Sequence, residues 1–221
     1  MSVSAKSLVL LLVAGVAAGC ASKAPCPKPV AASNAAGANG KPDWHDLITD
    51  PDHLRLRAWR KAMVDGLAKA RASGSGARID AEGKLLDPDA GIEGATLPVG
   101  YYRCRVIKLG AKPPAVAGHD NFIAYPAHRC QVRPSGPVTK LVELDGLQKP
   151  SGRLYQDGSS RVVFLGTMIL GDEVKSIAYG RDADRDVVGI VQRVEPGRWR
   201  MIVPQPAWES LADVLELVPE S

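Results

Sequence analysis

The sequence predicts a mainly β fold of the α+β kind: a small antiparallel meander barrel of about eight strands with an N-terminal amphipathic helix and a short C-terminal helix. From residue 97 to residue 204, short runs rich in β-branched and aromatic residues alternate with turn signals. Residues 50–73 carry apolar side chains at helical spacing. The 22 Gly and 17 Pro are scattered along the chain, as is typical of a fold with many turns.

Length and charge limit the classes of protein to consider. The chain has 221 residues, enough for one ordinary domain preceded by a leader. Hydrophobic residues make up 45% of it, which fits a packed core. The formal net charge of +4 arises without a long basic run, so nucleic acid is not an expected partner.

The N-terminus has the features of a signal peptide over residues 1–19. An unbroken apolar run covers residues 8–18; it is shorter than the ~20 residues of a membrane-spanning helix and has the length of a signal-peptide core. Small residues followed by Cys20 end the run. They resemble the lipobox of bacterial lipoproteins, although Ala17 stands where Leu is usual. The resemblance implies cleavage before Cys20 and its modification with diacylglycerol and a fatty acyl chain such as palmitate. The alternative is an ordinary cleaved signal peptide and a soluble periplasmic protein.

Residues 20–42 are then interpreted as the lipidated cysteine and a flexible tether. The segment consists mainly of Ala, Pro, Ser, Gly, Asn and Lys, so it cannot bury enough apolar surface to fold. Such a tether would span roughly 25 Å, and a single globular domain would follow over residues 43–221. Ala21 follows the cysteine, not the Asp that by family analogy retains lipoproteins at the inner membrane. We therefore expect a lipid anchor in the outer membrane, with the domain facing the periplasm.

The elements of the predicted domain follow from periodicity and turns. Asp50 can cap the N-terminal helix, and the glycine-rich stretch at 73–76 ends it. Asp157-Gly158 is a strong hairpin turn, and short connections make neighbouring strands antiparallel. A last helix, Trp208 to Glu216, is expected to plug one end of the barrel or cover a face. The strands are predicted near 100–108, 121–132, 138–145, 152–156, 160–168, 173–179, 186–194 and 198–203.

The four cysteines divide by position. If Cys20 is acylated, Cys104 and Cys130 lie in strand-like stretches of a protein in an oxidising compartment, and we expect them to form a disulfide. Closing that loop would stabilise the fold by roughly 3.5 kcal/mol in the chain-entropy model. Cys26 lies in the tether, where it is either a free thiol or an intermolecular bridge.

Alternation along the first and last predicted strands separates a core face from an arginine-bearing face. The core faces carry Tyr102, Cys104, Val106, Trp199, Met201 and Val203, and the opposite faces carry Arg103, Arg105, Arg198 and Arg200. If the barrel closes by pairing the first of these strands with the last, the arginines form one exterior cluster. This cluster is a candidate site for anionic headgroups of phospholipid or lipopolysaccharide, or for an envelope protein. The preferred alternative pairs the arginines with Glu209, Asp213 and Glu216 of the terminal helix.

Signals for chemistry are few. The sequence has no Walker loop, dinucleotide fingerprint, Gly-x-Ser-x-Gly or His-Glu-x-x-His motif, so no cofactor, metal ligand or catalytic residue is assigned. His119-Asp120 and the carboxylates of Asp172 and Glu173 could do acid–base work, but no nucleophile is identifiable. An enzyme is therefore not the predicted class.

Several short motifs resemble an uncharacterised bacterial envelope family, catalogued as domain of unknown function 4893. They are residues 100–105 (GYYRCR), 108–110 (KLG), 164–166 (FLG), 171–173 (GDE), 185–186 (RD), Gly189, 199–200 (WR) and 216–217 (EL). The resemblance covers about residues 43–219. It implies no activity, because the family has none assigned.

Three functions remain open from sequence. The first is a lipid-anchored envelope protein whose barrel binds a small ligand or an envelope partner; the second is a structural or assembly lipoprotein without a ligand; the third is a periplasmic hydrolase. An apolar cavity at the barrel mouth favours the first. A filled barrel with an exposed apolar patch favours the second. His119, Asp172 or Glu173 converging in a cleft would favour the third.

Overall fold

The computed structural model describes residue 40 and residues 42–113 and 120–220. The predicted signal peptide, Cys20, Cys26, most of the predicted tether and His119 lie outside these residues. The helices are α1 (Asp50–Arg57), α2 (Trp59–Ala70) and α3 (Gly76–Ala81), with short 3₁₀ turns at Trp44–Asp46 and Gly83–Leu85. The strands are β1 (Gly100–Ala111), β2 (Phe122–Ala124), β3 (His128–Ser135), β4 (Val138–Glu143), β5 (Gln148–Gln156), β6 (Val162–Leu170), β7 (Asp186–Glu195), β8 (Arg198–Pro204) and β9 (Ser210–Pro219).

The strands of the described residues form one antiparallel sheet that closes on itself. Strands β3 to β9 pair in chain order, and β9 returns to pair with β1 from Tyr102↔Pro219 to Ala111↔Ser210. β3 pairs with the other edge of β1, and the short β2 extends that edge. The result is a closed barrel of eight strands, β1 and β3–β9. The predicted mainly β antiparallel barrel is confirmed.

The predicted C-terminal helix over Trp208 to Glu216 is wrong, because residues Ser210–Pro219 form β9. Inside the barrel β9 contributes Leu215 and Leu217 to the core, and on the outside it packs Val214 against the helices. A strand buried on both faces has apolar residues at successive positions, which mimic helical spacing. β9 also lies between β1 and β8, so the barrel does not close by pairing the strands at 100–108 and 198–203.

Two strand predictions also differ from the structure. Residues 173–179 form no strand, because β6 and β7 pair directly from Val162↔Val191 to Thr167↔Asp186 and leave no room for a strand between them. The predicted strand 121–132 divides into β2 and β3, which pair with different halves of β1. Pro126 lies in the break, where it cannot donate a ladder hydrogen bond.

The helical segment packs on the outside of the barrel. Thr49, one residue before the expected cap Asp50, accepts the hydrogen bond of the Asp52 amide at the start of α1. The helical path continues past residue 73 and kinks at Gly74, whose φ of 89° favours glycine. Met63 and Leu67 of α2 pack against Ile107 of β1 and neighbouring outward-facing side chains.

The barrel interior is packed at one end, where the turns after β3, β5 and β7 lie. Tyr102, Phe164 and Trp199 fill it, and Leu97 from the segment before β1 covers it. The six side chains predicted on the core faces of the first and last strands all belong to or pack against this interior cluster. The predicted disulfide is confirmed: Cys104 and Cys130 are bonded, with their Cα atoms 5.9 Å apart.

Candidate functional site: a chamber at the open end of the barrel

A cavity of about 520 Å³ occupies the other end of the barrel interior, and we call it the chamber. Its wall is built from apolar side chains of the inner faces of five strands: Val106, Met168, Val187, Met201, Val203 and Leu215. Pockets for small molecules range from roughly 300 to 1,000 Å³. An eight-stranded barrel has an interior just wide enough for packed side chains or one small ligand. The chamber therefore has the size and the lining of a small-molecule site.

The floor of the barrel interior depends on two glycines. Gly152 of β5 and Gly166 of β6 face each other in the ladder. A Cβ on Gly152 would lie 2.5 Å from the Phe164 Cζ atom, and one on Gly166 would lie 2.7 Å from it. The Phe164 ring therefore occupies the space that two side chains would take. This packing closes one end of the interior, and the chamber occupies the other end.

A histidine and a glutamate lie together on the chamber wall. His128 Nε2 is 2.8 Å from Glu143 Oε2, and the Glu143 side chain is only 2% exposed. Glu143 Oε1 is buried and has no hydrogen-bond partner among the described residues. Burial raises the pKa of Glu143, and the hydrogen bond to Glu143 raises the pKa of His128. Both shifts favour protonation of the pair, and one acceptor atom of Glu143 is left unused.

A lysine and two carboxylates form a second polar group in the chamber. Lys108 Nζ lies 2.8 Å from Glu209 Oε2 and 3.4 Å from Asp213 Oδ2. Asp213 also accepts a hydrogen bond from Ser210. Burial raises the pKa of Asp213. Burial lowers the pKa of Lys108, but the two carboxylates outweigh it and the net shift is upward.

Exposed apolar side chains lie around the mouth of the chamber, together with the exposed carboxylates of Asp145 and Asp184. Tyr125, Leu147 and Trp208 line the chamber and are 41%, 79% and 37% exposed, respectively. They belong to the connections before β3, before β5 and before β9. The chamber is therefore open to solvent, and we call these three side chains its apolar rim. Large apolar side chains exposed together usually bind a ligand, a membrane or another protein.

The four predicted arginines are not gathered into one exposed cluster. Glu216 of β9 lies between β1 and β8, accepting hydrogen bonds from Arg105 Nε at 2.9 Å and Arg198 Nε at 2.7 Å. Arg200 is fully buried, and its guanidinium binds Gln192 and backbone carbonyls of residues 84, 85, 87 and 88. Arg103 is exposed and makes no ion pair with any described residue. The preferred alternative paired the arginines with carboxylates of a terminal helix, and Glu216 does pair with two of them, although this residue belongs to strand β9. Asp213 and Glu209 pair with Lys108 instead.

His128, Cys130 and Glu143 place one potential metal-ligand atom each within 4.8 Å of the others. Cys130 is bonded to Cys104, and a disulfide sulfur is not the thiolate that binds metals. The oxidised site therefore does not fit a metal ion. The predicted acid–base candidates lie elsewhere: Glu173 pairs with Arg185, and neither it nor Asp172 lines the chamber.

Sequence reasoning missed the polar groups of the chamber. One signal was present: His128 and Cys130 are two residues apart on one strand and therefore share a face. The short β3–β4 turn at Gly136 then sets Cys130 opposite Glu143. Lys108 follows Tyr102, Cys104 and Val106 at every second position of β1 and therefore also faces the barrel interior. A lysine is rarely expected inside a barrel.

Comparison with known proteins finds a matching family model. The model of a family described as Domain of unknown function (DUF4893) matches residues 44–217. No curated protein and no solved structure matches the chain. Among the described residues, every helix is too short or too polar to cross a membrane.

Proposed function

The chain belongs to the family described as Domain of unknown function (DUF4893), and we propose that it is a binding protein that holds a small, largely apolar molecule in its barrel. The observation that carries this proposal is the chamber of about 520 Å³ with an apolar wall and a few convergent polar groups. A molecule that covers this wall displaces water from apolar surface, which contributes roughly 25 cal/mol per Å² buried. The open mouth gives such a molecule a route into the barrel.

A variant that fills the chamber tests the proposal. Met168 lines the wall, and Met168→Trp would place an indole in the space of the ligand. We expect the fluorescence of an apolar naphthylamine dye to rise on binding to the wild type and to lose most of this rise in the variant. Leu54→Trp is the matched control, because Leu54 is 68% exposed on α1 and does not line the chamber. Equal dye binding by folded Met168→Trp and by the wild type would contradict the proposal.

We propose further that a lipid on Cys20 anchors this binding domain in the cell envelope. The support is the sequence alone: an apolar leader, small residues before Cys20 and a polar segment after it. Buried acyl chains contribute about 0.8 kcal/mol per CH₂ group, so an acylated cysteine would hold the domain at the membrane. Radioactive palmitate should label the wild type but not Cys20→Ala, and globomycin should block processing. An unlabelled wild type would favour a soluble periplasmic protein.

The apolar rim supports a second candidate function, contact with another envelope protein. Leu147 is 79% exposed, and Val174, in the connection before β7, is 90% exposed. The Gly171 amide, in the connection that carries Val174, donates a hydrogen bond to the Leu147 carbonyl oxygen, so the two connections are neighbours, and large apolar side chains exposed near one another mark interaction surfaces. Leu147→Asp with Val174→Asp should lower the recovery of crosslinked envelope proteins, whereas Met168→Trp, which fills the chamber and leaves these two side chains in place, should not. Unchanged crosslinking in this double variant would exclude the surface formed by these two side chains as the contact.

A further inference from the structure

We infer that the ligand carries a protonated amine, which binds Glu143 while its apolar tail covers the chamber wall. This inference rests on the proposed function, since it names the chemical class of the molecule in the same chamber. It follows from an unused buried acceptor and from the balance of charges inside the barrel.

The unused acceptor is Glu143 Oε1. The other carboxylate oxygen of Glu143 is engaged by His128 Nε2 at 2.8 Å, whereas Oε1 is buried and has no partner in the described part of the chain. Glu143 lines the chamber, but Oε1 itself is covered, so the carboxylate has to turn toward the chamber for a ligand to reach this atom. Leaving a buried polar atom without a hydrogen bond is costly. A ligand that donates a hydrogen bond to Oε1 removes that cost.

The charges favour a cation as this donor. Lys108 faces two carboxylates, Glu209 at 2.8 Å and Asp213 at 3.4 Å. His128 faces the third carboxylate, that of Glu143. With all three carboxylates ionised, the five groups sum to −2 when His128 is neutral and to −1 when it is protonated. Burial raises the pKa of Glu143 and of Asp213, because it removes water from the ionised carboxylates, and a cation beside them would stabilise those ionised forms.

A carboxylate or phosphate headgroup would add negative charge to this site, and like charges in a poorly solvated place repel strongly. A hydroxyl could donate to Oε1 but would leave the charge uncompensated. An ammonium supplies both the donor and the charge, and hydrogen bonds between ionised groups are about twice as strong as neutral ones. The apolar wall, with Met201 and Leu215 among its members, accommodates the tail.

Three probes with one tail separate the headgroup from the chamber. Octylammonium, octanol and octanoate are titrated into the purified full-length protein near neutral pH. We expect octylammonium to bind about tenfold or more tighter than octanoate, with octanol between them. Glu143→Gln should remove most of the preference for ammonium and leave the affinity for octanol unchanged. Glu173→Gln, which removes an exposed carboxylate paired with Arg185 outside the chamber, should preserve the preference. If Glu143→Gln does not fold, Asp213→Asn should lower the ammonium preference in the same direction.

The outcomes distinguish the two proposals. If octanoate binds as tightly as octylammonium, the inference of a protonated amine is wrong, but the proposed binding function is not affected. A preference for ammonium that survives in both Glu143→Gln and Asp213→Asn would also overturn it. If none of the three probes binds, and the apolar dye does not bind either, both the amine and the binding function are wrong.

Discussion

Replacing Arg200 with Met should destabilise the domain by about 3–5 kcal/mol. The guanidinium is fully buried, and burial lowers the pKa of Arg200 to about 10, so it is still charged at neutral pH. It donates to the carbonyl oxygens of Leu85 at 2.8 Å and Asp87 at 2.6 Å. It also binds Gln192 Oε1 through two nitrogens, at 2.8 and 3.1 Å.

The magnitude follows from these bonds. Methionine is also long and flexible, so the substitution removes donors more than it opens a cavity. Each buried acceptor left without a donor costs about 1–3 kcal/mol. The carbonyls near Leu85 and Asp87 would recover part of this by reaching water, while Gln192, which is 6% exposed, would recover less. The segment between α3 and β1 would also lose its attachment to β8.

Urea unfolding monitored by tryptophan fluorescence measures the effect. Arg103→Met is the matched control, since Arg103 lies on β1, is exposed and makes no ion pair with a described residue. We expect the control to change the free energy of unfolding by no more than about 0.5 kcal/mol. If Arg200→Met is as mild as Arg103→Met, the guanidinium does not hold the segment and the reasoning fails.

Three further predictions concern packing, the disulfide and pH. Gly66→Ala would place a Cβ 2.9 Å from a β1 side chain and should lower the free energy of thermal unfolding by about 1–3 kcal/mol. Gly76→Ala, whose Cβ would have its nearest contact at 3.8 Å, should stabilise the domain by about 0.5–1 kcal/mol. Equal effects of the two substitutions would refute the close packing of α2 on β1. Cys104→Ser should cost roughly 3.5 kcal/mol in urea, and an unchanged midpoint would argue against the disulfide. The pKa values of Glu143 and His128 are raised in the fold, so the native state holds extra protons above pH ~4.3 and ~6.5, the values for the unfolded chain. The free energy of unfolding should therefore fall as pH rises, by up to about 1.4 kcal/mol per pH unit for each group. Glu143→Gln should flatten this profile measured in urea, and a free energy that rises with pH would contradict these shifts.

Alternation along single strands was enough to predict much of the barrel. Tyr102, Cys104 and Met201 lie inside it as expected, because side-chain direction has a period of two in any strand. The turn at Asp157-Gly158 connects β5 to β6 as predicted, since its chemistry is local. The disulfide was predicted from the strand-like surroundings of Cys104 and Cys130 and from the expected oxidising compartment.

The features that sequence reasoning missed depend on contacts between distant elements. The helical spacing of β9 reflects burial on both faces, which only the packing of α2 on the barrel explains. The ion pairs of Glu216 depend on β9 lying between β1 and β8. The chamber exists because Phe164 fills the interior at one level and Met168 and Val203 leave it open at another. No strand considered alone carries that information.

Native mass spectrometry of the protein purified from its own envelope would show whether the chamber holds a ligand. We expect a population with one added small molecule, whose mass disappears in Met168→Trp and persists in Leu54→Trp. Collisional release should identify that molecule as an amine with an apolar tail. A wild-type protein that carries no added mass, and that takes up none when mixed with its own envelope extract, would contradict the claim that the chamber is a ligand site.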